Sequence, residues 1–244
     1  MSLRAILEER LALMAPSRRL RLAAVEAELT ERLGADARLR ILDAGCGDGL
    51  LSLAMAKRHP AWAMVGIDLR ENLLDGARAR AAARGISNAR FLVADLEEPL
   101  PVGNFDVVLA VECLEEIPGD GRALRMMSQA LGPGGLLVAH VPEEGWRAVL
   151  PGSPSTWREQ VRQGYSAERI AALLEDAGCA EVEVRPTYRS VVAAAQEVRD
   201  RIKDRPLLVR LLAFPFLAAA VGLERRGVTF GRANALLAVA RRAV

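Results

Sequence analysis

Apolar residues recur at helical spacing through residues 3–33: Leu3, Ile6, Leu7, Leu11 and Leu13, then Leu20, Leu22, Val25 and Leu29. Pro16 and Ser17 divide that run, so two N-terminal helices are predicted. The period then changes. Arg40–Ala44 reads as a short apolar strand that ends in glycine-rich sequence, and Leu50–Arg58 as the helix after it. Strand and helix go on alternating: strand Ala63–Asp68, helix 71–84, strand 90–94, strand Phe105–Val111 and helix 123–131. Gly132, Pro133, Gly134 and Gly135 make a tight turn into a fifth strand, 136–141. A helix over 167–177 stops at Gly178, a good terminator, and strands are predicted at 180–186 and 234–241. Strands separated by helices of this length imply βαβ units, hence a parallel sheet covered on both faces. Right-handed crossovers restrict the topology to a doubly wound α/β sheet.

Two stretches leave this rhythm. Residues 142–165 form a long connection rich in Pro, Gly and Trp, and residues 188–233 hold a polar helix followed by an apolar block, 207–223. The expected organisation is therefore an N-terminal helical cap (1–34), a main domain (35–187 and 234–244) and a helical apolar insertion (188–233).

Composition narrows the chemistry. The 244 residues are 51% hydrophobic and 26% charged, with a formal charge of only +2. No basic patch or tail points to a nucleic-acid partner. Cys46, Cys113 and Cys179 are odd in number and widely spaced, which argues against a disulfide framework and against a metal site. The N-terminus carries acids and does not read as a secretory signal. The apolar block is interrupted by Arg210 and Pro215 and is expected to be too short to span a bilayer. A cytoplasmic protein is the expectation.

The strongest chemical signal is Asp43-Ala44-Gly45-Cys46-Gly47-Asp48-Gly49. A strand ending in a G-x-G-x-G turn lets backbone pass close to a ligand, where a Cβ would collide, and the next helix offers free N–H groups. Asp68 closes the following strand, at the position that accepts ribose hydroxyls in nucleoside-binding folds. A dinucleotide fingerprint would need a third glycine at position 50, where Leu50 stands. Asp43 and Asp48 would also repel a pyrophosphate that relies on the helix dipole. A cofactor with a sulfonium and an ammonium group suits these acids, which favours S-adenosylmethionine over a nicotinamide dinucleotide.

With these residues in view the chain resembles the class I, Rossmann-like S-adenosylmethionine methyltransferases over roughly residues 35–180. ILDAGCGDG looks like the first family motif, VGIDLRENLL the second and FLVADLEEPLP the third; FDVVLAVECLEEIP and LGPGGLLVAHVP are similar to the fourth-strand motif and the turn and strand after it, and GYSAERIAALLEDAGC to a later helix. The resemblance implies a seven-stranded mixed sheet with the last strand antiparallel. It implies that Asp43, Gly45, Cys46, Gly47 and Gly49 surround the amino-acid part of the cofactor, Asp68 the ribose, Leu69, Asp95 and Leu96 the adenine, and Glu112 the methionine portion. Where many relatives carry His this chain has Glu116, so no role of that His carries over.

The acceptor half is less constrained. His140, at the end of strand five, is a candidate general base, with a buried His bonded to backbone as the alternative. Trp146, Trp157 and Tyr165 are candidates to line an acceptor pocket or to anchor the loop. Cys46 is expected to pack within the turn. The block at 206–223 is expected to pack on the domain or across a homodimer interface, to cover an apolar acceptor, or to touch a membrane peripherally. The expected reaction is methyl transfer to a small-molecule oxygen, nitrogen or carbon, with an apolar metabolite among the candidate acceptors. A cofactor-binding protein without transferase activity, an oxidoreductase, and a transferase acting on protein or lipid are the alternatives.

Overall fold

The computed structural model describes residues 15–153, 160–187, 189–228 and 233–243. The first predicted helix and Trp157 lie outside them. Seven strands form one sheet in the order β3-β2-β1-β4-β5-β7-β6: β1 Arg40–Ala44, β2 Ala63–Asp68, β3 Ala89–Val93, β4 Phe105–Val111, β5 Leu131–Pro142, β6 Cys179–Pro186 and β7 Ala235–Arg242. The first five run parallel to one another, and β7 is antiparallel to both β5 and β6. This is the predicted mixed sheet. Residues 132–135 shift the β4–β5 register, so that Phe105 pairs with Leu131 and Val107 with Leu136.

The helices are α1 Pro16–Leu33, α2 Leu50–Arg58, α3 Glu71–Ala83, α4 Asp120–Ala130, α5 Ala167–Asp176, α6 Ser190–Ile202 and α7 Leu207–Arg225. Pro16 begins α1, where its missing N–H is one that the first turn leaves unpaired anyway. The two-residue period of the strands sends alternate side chains to opposite faces. Ile41, Val107, Leu109, Leu136 and Val138 pack beneath Val25 and Leu29 of α1 and Met55 of α2. Leu42, Val108, Ala110, Leu137 and Ala139 pack against α4 and α5 through Leu124, Met127, Ile170 and Leu174. Central strands buried on both faces need apolar residues at nearly every position, which explains their unbroken runs.

Several features depart from the reading of the sequence, among them β5, which begins at Leu131 rather than 136, and α4, which begins at Asp120 rather than 123. Helix α7 runs straight through Pro215, which lies on the exposed face of the helix, so the carbonyl it cannot bond faces outward rather than into packing. By length and composition the continuous helix is long and apolar enough to cross a membrane, and little of it is buried; the expectation that the block is too short does not hold. Strand β6 also begins one residue earlier than expected, at Cys179.

Gly49 closes the turn into α2 with φ 69°, and a Cβ there would sit 2.7 Å from Ala77 Cβ and 2.8 Å from Phe91 Cε1. Gly49→Ala should therefore destabilise the fold by about 2–4 kcal/mol, combining left-handed strain with overpacking. Urea unfolding checks this; an unchanged midpoint would show that the turn has slack.

Candidate active site

Every residue assigned to the cofactor stands at the carboxyl ends of β1 to β4 or in the loops just beyond, the edge at which open α/β sheets bind ligands. The three glycines of the turn do different things there. Gly45 (φ 71°) would carry a Cβ only 2.5 Å from Cys113 Cβ, so it permits packing of the turn on the β4 loop. A Cβ on Gly47 (φ 54°) would meet nothing nearer than Arg70 Nη2 at 3.9 Å, and its absence leaves room in the cleft. Gly49 is filled from behind and serves packing. Cys46 borders the cleft, but burial pushes its thiol well up and its sulfur closes on Gly66; it packs, and is no nucleophile.

The acids around the turn are held firmly. The Asp43 carboxylate is buried and accepts from the Ser52 hydroxyl. Burial pushes its pKa up to about 6, with Ser52 opposing and Asp68 and Asp48 adding. Asp68 accepts from Gly47 N–H at 2.8 Å, from Arg70 N–H at 2.9 Å and from Arg70 Nε at 3.1 Å. Burial alone would raise its carboxyl, but these bonds together hold it below the usual range. Ribose hydroxyls reaching Asp68 would compete with the Arg70 guanidinium. Leu69 beside it is 66% exposed, an open apolar surface for a flat ring. Asp95 is exposed and its Oδ1 accepts from Glu97 N–H at 2.9 Å, whereas Leu96 is buried in the core.

The cleft, of about 330 Å³, is bordered by Asp43, Gly47, Asp48 and Arg70 on one side and by Arg18, Arg21 and Glu112 on the other. Arg18 and Arg21 come from α1, which places the N-terminal helix against one end of the cleft. Glu112 follows β4 with φ 54°. Its carboxylate lies 2.6 Å from Arg21 Nη1 and 2.8 Å from His140 Nδ1. Burial would raise this carboxyl, yet Arg21 and His140 bring it down.

His140 is wholly buried, and its Nε2 lies 3.0 Å from Thr187 Oγ1. Burial lowers its pKa against the pull of Glu112. Because a carboxylate only accepts, Nδ1–H donates to Glu112, while Nε2 contacts the Thr187 hydroxyl, which also reaches Ala235 O. Both nitrogens are thus engaged, and the expected general base is not available to an acceptor. His140 positions Glu112 instead.

A second cavity, of about 230 Å³, opens on the other side of Glu112 and is bordered by Pro142, Trp146, Ala193, Gln196 and Asn234. Trp146 is brought to this cavity, and its Nε1 is buried without a hydrogen-bond partner among the described residues. Tyr165 is not. It is 1% exposed, and its hydroxyl donates to Leu114 O at 3.0 Å and lies 3.1 Å from Asp120 Oδ2. The reason is local: Tyr165 pairs back onto the end of β5 by a bridge to Glu143, which turns its ring into the core.

Residues 41–135 match the family model described as "Methyltransferase domain". Over 101 residues the chain is 36% identical to the ubiquinone biosynthesis O-methyltransferase of Neisseria meningitidis, a match covering 40% of this chain and 42% of that one. It is 28% identical to the trans-aconitate 2-methyltransferase of Methylobacterium radiotolerans, with 75% of each chain covered. Among solved structures it is similar to the cyclase SpnF (26% identical, TM-score 0.62, 91% of this chain and 80% of that one). It shares its fold with phosphoethanolamine N-methyltransferase 2 of Haemonchus contortus in complex with S-adenosyl-L-methionine (19%, TM-score 0.63, 91% and 53%). Residues 41–135 thus match a methyltransferase domain, and the chain as a whole has the Rossmann-like fold of S-adenosylmethionine-dependent methyltransferases. It spans less than half the length of the ubiquinone relative.

The cleft fits the cofactor of this family. Acids stand where a sulfonium and an ammonium group would lie, Gly47 leaves the space a Cβ would fill, and two arginines offer partners to a carboxylate. Sequence reading missed Arg18, Arg21, Arg70 and Thr187. The signal for the first two was present, because residues three apart share a helix face.

Glu115, in the segment that departs from the methyltransferase pattern at Glu116, is 2% exposed, and its Oε2 has no hydrogen-bond partner among the described residues. Burial first, then repulsion from Glu112, pushes its pKa up to about 8. A carboxyl raised above its ordinary value on folding stabilises the native state fully below about pH 4.5, and that contribution is lost as pH rises to about 8. Glu115→Gln should match the wild type near pH 4.5 and melt about 5 °C higher at pH 9. Thermal melts at the two pH values test this, and a parallel shift at both would refute a buried titrating carboxyl.

Proposed function

We propose that the protein transfers the methyl group of S-adenosylmethionine to a small-molecule acceptor held in the Trp146 cavity. The observation that carries this reading is the position of Glu112, whose side chain borders both the cofactor cleft and that cavity. A donor in one and an acceptor in the other would meet at a single carboxylate. S-adenosylmethionine supplies an electrophilic methyl on a positively charged sulfur that is a good leaving group.

The chain's own residues then have to bind, align and exclude water. Asp68 accepts the ribose hydroxyls, Leu69 and Asp95 take the two faces of adenine recognition, and Arg18 and Arg21 stand at the carboxylate end. Glu112, kept ionised by Arg21 and His140, faces the positive sulfur. The orphan indole N–H of Trp146 donates to an oxygen of the acceptor, because a buried donor left unpaired costs about 1–3 kcal/mol. Alignment of the two reactants supplies much of the rate. The named small-molecule methyltransferases among the relatives support an acceptor of this class.

The similarity to a cyclase favours a second reading, in which the chain binds the cofactor without transferring its methyl. Calorimetry with Asp68→Ala and transfer of labelled methyl to a panel of hydroxyl, carboxylate and amine acceptors separate the two. The proposal expects affinity for S-adenosylmethionine to fall about 10–100-fold, from about 1–3 kcal/mol of lost charge-assisted bonding, and label to appear on an acceptor. Binding with no transfer across the panel would favour the second reading, and unchanged affinity would remove Asp68 from the site.

A further inference from the structure

Helix α7 presents its most apolar face to the outside. Leu208 is 66% exposed, Leu212 65% and Phe216 79%, and Leu223 continues the line. At 100° per residue these positions share one stripe with Pro215 and Ala219, and no charged residue interrupts it between 208 and 223. The stripe is about 22 Å long at 1.5 Å per residue. The opposite face, Leu217, Ala220 and Val221, is buried, with Leu217 and Ala220 packed against Ala195 of α6. Near the helix end Glu224 accepts from the backbone N–H groups of Arg189 and Val192. With one face packed and one end tied to α6, the helix is built to lie on a surface rather than to cross it.

The charges at its ends say what that surface is. Lys203 and Arg205 are exposed just before the helix and Arg226 just after it, against the single exposed acid Asp204. Pairing with a second copy along the stripe would set a cationic end against a cationic end in either direction. A layer of anionic headgroups over hydrocarbon complements both the ends and the middle.

We infer that α7 docks the protein flat on an anionic phospholipid bilayer, with Leu208, Leu212 and Phe216 inserted among the acyl chains. The placement has a consequence for the acceptor, which rests on the reading proposed above. Lys203 borders both the Trp146 cavity and a groove formed by Arg199, Ile202, Arg210, Phe214 and Leu217 at the base of α7. Docking brings the mouth of the cavity to the headgroup layer, where an acceptor with an apolar tail partitions.

Sedimentation with vesicles tests docking without any activity measurement. The full chain should pellet with phosphatidylcholine vesicles containing phosphatidylglycerol and much less with phosphatidylcholine alone, and added salt should weaken binding. The double variant Leu212→Glu and Phe216→Glu should bind at least about tenfold more weakly, with melting temperature and cofactor affinity unchanged. Should that variant fail to fold, Arg205→Gln with Arg226→Gln should lose the preference for anionic vesicles. A monomer indifferent to vesicles would overturn the inference, as would a dimer that Phe216→Glu dissociates, or vesicle binding that neither variant alters. Loss of vesicle binding with methyl transfer to a soluble acceptor intact would leave the proposed function standing, whereas docking without any transfer would count only against that function.

Discussion

Glu112 is held in a left-handed backbone conformation at the end of β4, and two side chains far apart in sequence converge on its carboxylate, with a third behind them. Arg21 comes from α1, His140 from β5, and Thr187, which fixes His140, from the segment that leads into α6. A positive φ on a residue with a Cβ costs about 1–3 kcal/mol. Hydrogen bonds to a charged group contribute about 1.5–3 kcal/mol each, so the two partners suffice to hold the strained backbone in place. The wall between the two cavities therefore stands where α1, the sheet and the β6–β7 connection are all in register. Neither α1 nor the connection can shift without disturbing it.

The glycine turn provides the other fixed point. Gly47 N–H bonded to Asp68 links the end of β1 to the end of β2, so the loop that borders the cleft is anchored to the residue proposed to read a ribose. Asp43, buried and bonded to Ser52, ties the same turn to α2. A ligand meeting this cleft finds groups already oriented, and little ordering remains to oppose binding.

How much of this was legible in the sequence depended on the range of the interaction. The mixed sheet and its antiparallel last strand followed from strand–helix alternation and the family motifs, because central strands buried on both faces announce themselves as apolar runs. Gly45, Gly47 and Asp68 were legible for a similar reason: a turn and its acid are local. The partners of Glu112 were not. Arg21 lies 91 positions away in sequence, and its helical spacing shows that it shares a face with Arg18 but not what that face meets. His140 was seen as an ionisable group at the right edge of the sheet, but burial and the two bonds that remove it from acid–base work come from β4 and Thr187. Of the two readings of Tyr165, pocket lining or loop anchor, the structure takes the second, since a bridge to Glu143 turns the ring inward. The continuity of α7 through Pro215 was hidden as well, because a proline inside a helix loses a hydrogen bond and crowds the preceding turn, which in sequence reads as a stop.

The central claim is that donor and acceptor meet across Glu112. A crystal structure of the protein with S-adenosylhomocysteine tests it most directly. The account predicts the ribose on Asp68, the adenine over Leu69 and the sulfur beside Glu112, facing the cavity of Trp146. Density that places the sulfur away from Glu112, or that leaves the Trp146 cavity walled off from it, would contradict the account.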